Sequence, residues 1–172
     1  MNEEARKELK TILASYKAKL VDRNEREAHS RLARASFIEQ FRTLKAEMIG
    51  PVLNEFAVQL NGEGHAASVI DQQEPSDLHG HFIPSSVALR VVPAKIGDAP
   101  GVQTGGAVVD VTFSANQHAM KVLVSSSNNA QGSSGKRGEY DLSELTEDFV
   151  VSNVLRTIRG AFAGANESSA RG

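Results

Sequence analysis

Apolar and polar positions keep two different periods along this chain. Up to about Leu60 the apolar residues return every three or four positions, and from about His65 to Leu142 they return every second one. Leu9, Ile12, Leu13, Tyr16 and Leu20 make one helical stripe. Between Val21 and Arg34 the stripe thins to Ala28 and Leu32, with charges on every side. That middle either continues as a solvated helix, held by pairs such as Asp22–Arg26 and Glu27–Arg31, or breaks into two helices. The stripe resumes with Phe37, Phe41, Leu44 and Met48. Gly50-Pro51 predicts a kink or a restart, because proline brings no N–H and its ring crowds the preceding turn. Pro51 then suits the first turn of a helix carrying Val52, Leu53, Phe56 and Leu60, with Asn61-Gly62 as its stop.

Beyond that stop the pattern reads as strands. His65 to Ile70 predicts a short one, Gln72 to Asp77 a polar turn, and His81 to Ile83 with Val87 to Val92 a strand punctuated by Pro84 and Pro93. Ala94 to Gly106 is rich in glycine and proline and predicts a loop. Val109, Val111 and Phe113 then face one side, and Asp110, Thr112 and Ser114 the other. After a turn at Ala115 to Gln117 the alternation repeats at Met120, Val122 and Val124. One face packed and one face wet predicts an antiparallel hairpin covered by helices on a single side.

The polar run Ser125 to Gly138 predicts a mobile hairpin loop, being too poor in apolar groups to offset its ordering entropy. Glu139 to Leu142 predicts the last strand. Thr146 caps a final helix with Phe149, Val150, Val154, Ile158 and Phe162 on one stripe. The expected fold is therefore α+β. It comprises a helical arm over 1–49, an α+β domain over 50–163 and a disordered tail over 164–172. An antiparallel sheet of four to five strands is covered on one face by the C-terminal amphipathic helix and the Pro51–Leu60 segment.

Composition narrows the chemistry. A chain of 172 residues can bury a core without staples. It has no cysteine, which excludes disulfides and thiolate chemistry and leans towards a reducing, cytoplasmic setting. The acidic, helical opening is no secretory signal, and no apolar run is long enough to span a bilayer, so a soluble protein with no membrane partner is expected. The net charge of −2 hides an asymmetry: residues 1–49 hold eleven Lys/Arg against eight Asp/Glu, so the remainder is acidic. A basic segment on an acidic body can seek an anionic partner or another copy of the chain.

No catalytic constellation stands out. His79 and His81 could share a strand face, with His65, Asp77 or His118 as further ligands, but no metal-ligand spacing links them and no metal is expected. There is no Gly-x-Ser-x-Gly elbow. The loop Gly101 to Gly106 lacks the Gly-Lys-Ser/Thr ending of a phosphate cradle and precedes a strand. Capping explains Glu147-Asp148. No catalytic residue and no cofactor are therefore assigned.

The chain holds more apolar helix than a small sheet needs, and exposed apolar stripes mark partner sites. The leading expectation is a non-enzymatic interaction or assembly subunit. It would oligomerise, in coiled-coil fashion, or dock on a larger complex through Leu13, Tyr16, Leu20, Phe37, Phe41, Leu44 and Met48. The alternative is a nucleic-acid-associated regulator using Lys19, Arg23, Arg26, Arg31 and Arg34, although Asp22, Glu25 and Glu27 interleave with them. A weaker alternative is a small metal-dependent hydrolase around His79 and His81.

Overall fold

A computed structural model describes residues 2–73, 84–94, 108–129 and 132–169 of the chain. Helix α1 (Glu3–Leu44) starts where the Asn2 side-chain oxygen accepts the Ala5 N–H at 2.9 Å, with Glu3 and Glu4 at the positive end of the helix dipole. The charged middle does not break it. There the ion pair that forms is Arg23–Glu27, at 2.8 Å. The chain divides into two compact units, Met1–Phe37 and Ile38–Gly172. That boundary falls inside α1, and beyond it Ile38, Phe41, Lys45 and Ile49 are buried.

In the second unit α1 opens after Leu44 into one π-helical turn, Lys45–Ile49, and re-forms as α2 (Gly50–Gly62). The Gly50 N–H donates to the Lys45 carbonyl five residues back. A Cβ on Gly50 would stand 2.9 Å from that same oxygen, so only glycine fits. The expected break at Gly50-Pro51 is thus a change of helical register, with Pro51 in the first turn of α2. The Asn61 amide then clips the helix end to the following strand: its oxygen accepts the Ala67 N–H at 2.8 Å and its nitrogen donates to the Ala67 carbonyl at 2.9 Å.

Five strands follow: β1 (Ala66–Gln72), β2 (Ser86–Val92), β3 (Val109–Asn116), β4 (Lys121–Asn128) and β5 (Ser133–Tyr140). They lie side by side in chain order and every neighbouring pair is antiparallel. α2 packs on β1 and β2, α3 (Glu147–Ser169) packs on β3, and the two helices touch each other, so both cover one face. The core between them holds Phe41, Ile49, Leu53, Val87, Leu89, Val91, Val111, Phe113, Val122, Val124, Val150 and Val154, all buried. The other face is half-exposed, as the alternation in β3 requires, and carries a two-pronged Arg90–Asp110 pair across β2 and β3 at 2.9 and 3.2 Å. This is the α+β architecture that the two periods imply.

Two expectations are corrected. Ser125 to Gly138 is not a long loop: Ser125 to Asn128 belong to β4 and Ser133 to Gly138 to β5. A strand paired through its backbone needs no apolar side chains to join a sheet, so the serine-rich composition misleads. Met120 is not a strand residue; it sits in the Gln117–Met120 turn with φ 53° and an exposed side chain. Helix α3 is bounded by Glu147 and Ser169. Its start is as read, with the Thr146 hydroxyl accepting the Phe149 N–H at 3.2 Å. His79, His81, Asp77 and the loop 95–106 lie outside the described residues.

Candidate functional site

The exposed stripe of α1 is more regular than apolar spacing alone requires. Leu9, Leu13, Tyr16 and Leu20 repeat as the d and a positions of a heptad. All four are exposed, as is Ile12 beside them, with Leu13 50% and Tyr16 60% accessible. The flanking e and g positions from residue 10 to residue 33 are Lys10, Ile12, Lys17, Lys19, Asn24, Arg26, Arg31 and Ala33. They hold five cations and no anion, whereas Glu4, Glu8, Asp22 and Glu25 take outward c and f positions. The seam is thus apolar in the centre, basic along both edges and acidic behind.

The same phase places Arg23, Glu27, Ser30 and Arg34 next on the seam, and Phe37, Phe41 and Leu44 after them. Arg23 and Glu27 neutralise each other there. Their hydrogen bond holds the Glu27 carboxyl below the usual carboxylate range and raises the Arg23 guanidinium. The basic candidates share the seam side of the helix: Lys19 and Arg26 line one edge, Arg31 the other, and Arg23 and the half-buried Arg34 the seam itself, with Glu27 among them. The partner candidates also divide. Leu13, Tyr16 and Leu20 are accessible, but Phe37 and Phe41 are 5% and 0% exposed, and Leu44 and Met48 are half-buried. Phe37 and Phe41 are thus buried, and the exposed large apolar side chains of α1 are Leu9, Ile12, Leu13, Tyr16, Leu20 and Val21, with Leu32 further on.

A second feature, which sequence reasoning missed, lies where the covered face of the sheet turns polar. Along β4 the buried Val122 and Val124 are succeeded, on the same alternation, by Ser126 and Asn128. Opposite them, the pairing of β5 shifts register: Val124 faces Gly138 while Ser125 faces Lys136, leaving Arg137 as the extra residue of a bulge. Bulges re-aim side chains. Here Arg137 reaches α3, its Nε donating to Ser126 Oγ at 2.9 Å and its Nη1 to the Asn153 carbonyl at 3.2 Å. The Thr157 hydroxyl donates to that same carbonyl at 2.8 Å. Gly138 is bare because the Tyr140 ring covers it; a Cβ would come 2.7 Å from the phenolic oxygen. That ring in turn stands edge-on to Phe149 at 4.7 Å.

Ser126, Asn128, Arg137 and Thr157 line an open cleft of about 330 Å3, together with Ser134, Lys136, Arg156 and Gly160. Among the described residues no carboxylate lines it. Burial, and then the neighbouring charge of Arg156, lower the Arg137 guanidinium from its ordinary pKa, with Tyr140 acting the other way. Lys136 is engaged by Glu139 at 3.0 Å. The sequence holds one hint of this site: Lys136-Arg137 ends an otherwise uncharged run, Ser125 to Gly135. That Arg137 meets Arg156 follows only from the bulge, which no local pattern encodes.

The remaining histidine candidates are accounted for where described. His65 accepts the Ala94 N–H on Nδ1 at 3.1 Å and stands edge-on to Phe162 at 4.8 Å, and His118 is exposed. Among the described residues no three His, Asp or Glu side chains converge on a metal position, and no helix is long and apolar enough to cross a membrane. No protein-family model, curated protein or solved structure matches the chain.

Proposed function

We propose that the protein is a non-enzymatic docking subunit whose α1 seam, Leu9 to Leu20, seats an acidic amphipathic helix of another protein. One observation carries this reading: an exposed apolar seam whose e and g flanks are basic on both sides. In a helix pair those flanks face the partner's flanks, and opposite charges there set partner choice and orientation. A second copy of this chain would bring no anion to either edge between residues 10 and 33, and in a parallel pair would set Arg26 against Arg31, where like charges repel.

Magnitudes support the same choice. Five half-exposed apolar side chains contribute on the order of 1 kcal/mol each when covered. Association alone costs about 4–15 kcal/mol. An apolar seam of two heptads therefore needs complementary charge along its edges, or a larger partner surface beyond it, to hold a complex. The test is titration of the full chain with a synthetic helix bearing Leu at a and d and Glu at e and g, followed by sedimentation. A one-to-one, salt-sensitive complex that Leu13→Asp with Tyr16→Asp abolishes is expected. A stable dimer of the chain by itself, or preferential binding of duplex DNA, would overturn the reading.

A further inference from the structure

Apart from the α1 seam, we propose that the cleft between the β4–β5 edge and α3 binds the phosphate group of a small phosphate monoester. The inventory of its wall is one-sided. Arg137 uses two of its five N–H donors on Ser126 and Asn153, and the other three remain. Arg156 lines the same cleft, and among the described residues neither guanidinium has an acidic partner. Ser126 and Ser134 add hydroxyls. Two guanidinium groups held near each other repel, and part of Arg137 is withdrawn from water, so an anion between them would relieve both costs.

The number of donors selects the anion. A carboxylate offers two oxygens, which one arginine fork can saturate, whereas a phosphate monoester offers three terminal oxygens and close to two negative charges. Two forks and flanking hydroxyls match the second. A volume of about 330 Å3 lies at the low end of small-molecule sites, and leaves room for the ester group beside the phosphate. The β5 bulge supports the assignment. Without it Arg137 would alternate with Lys136 and Gly138 along a regular strand, and its contacts to Ser126 and α3 would not form.

Calorimetric titration of the full chain with glycerol 1-phosphate, at fixed ionic strength in chloride, tests this directly. Saturable binding at one site is expected, with none for glycerol. Arg156→Gln, an exposed change, should weaken it about ten- to a hundredfold, the loss of a charged hydrogen-bonded pair. Arg156→Lys should fall between the two, since it keeps charge but loses the fork. Arg137→Gln should weaken binding too, read beside its melting temperature because Arg137 also ties β5 to α3. Absence of saturation, or unchanged affinity in Arg156→Gln, would overturn the proposal. So would loss of binding in Lys17→Glu with Lys19→Glu, which would move the site to α1.

Discussion

Lys45 is the least ordinary residue of the core, and its replacement by methionine is a sharp test of how the π turn is held. Its side chain is 6% exposed, while that of its partner Asp71 is 52% exposed. The ammonium donates to Asp71 Oδ1, to Ser85 Oγ at 3.1 Å and to the Gln72 carbonyl at 3.3 Å, so all three of its protons are used. It joins the π turn to the end of β1 and to the residue before β2. Methionine keeps the stem and removes the donors. Asp71 can rehydrate, so the loss of that ion pair costs little. Ser85 is buried, and each buried polar group left unpaired costs about 1–3 kcal/mol. Ser85 Oγ also lies 3.5 Å from the Gln72 carbonyl, so one weak bond survives to offset part of the loss. The expected destabilisation of Lys45→Met is therefore about 1–3 kcal/mol, measured as a shift of the urea midpoint at unchanged slope. Ser85→Ala in that background should cost less than it does alone, because the orphaned hydroxyl disappears with it. A Lys45→Met midpoint within about 0.5 kcal/mol of the parent, or strict additivity with Ser85→Ala, would refute the account.

Two further outcomes follow from single contacts. Gly50→Ala should destabilise by about 1–3 kcal/mol through its collision with the Lys45 carbonyl, and restoration of ordinary stability by that variant would show that the π turn can close up. The Glu139 carboxyl, held below the usual carboxylate range first by the Lys136 hydrogen bond and then by Asn116, contributes stability above its unfolded pKa and loses it as pH falls through its lower folded value. Glu139→Gln should flatten that acid-side fall in melting temperature, whereas an identical acid profile would contradict the assignment.

The parts of the fold that were legible in the sequence are those in which one local period decides the structure. Val109, Val111 and Phe113 alternate because one side of β3 is covered, and Val150 and Val154 recur because one side of α3 is. The serines of β4 and β5 were not legible, since their place in the sheet comes from backbone pairing with neighbours and not from their side chains. The site followed the same rule. Exposed Leu13 and Tyr16 advertise themselves by type and spacing, and the heptad phase of their basic flanks was present in the sequence too. Phe41 carries the same apolar signature yet is interior, because periodicity marks an apolar face without saying what covers it. Arg137 and Arg156, nineteen positions apart, meet only through a register shift, and nothing near either one announces the other.

The central claim is that basic flanks on α1 choose an acidic helix. Charge reversal measures it most directly. Lys10→Glu, Lys17→Glu and Lys19→Glu, combined in the full chain, leave Leu9, Leu13, Tyr16 and Leu20 in place. Affinities of parent and variant would be compared for two helical peptides that share a leucine seam and differ only in glutamate or lysine flanks. The parent should prefer the glutamate-flanked peptide and the variant the lysine-flanked one, with both preferences fading as salt rises. Equal affinity of the parent for the two peptides, or a variant that keeps the parent's preference, would contradict the account.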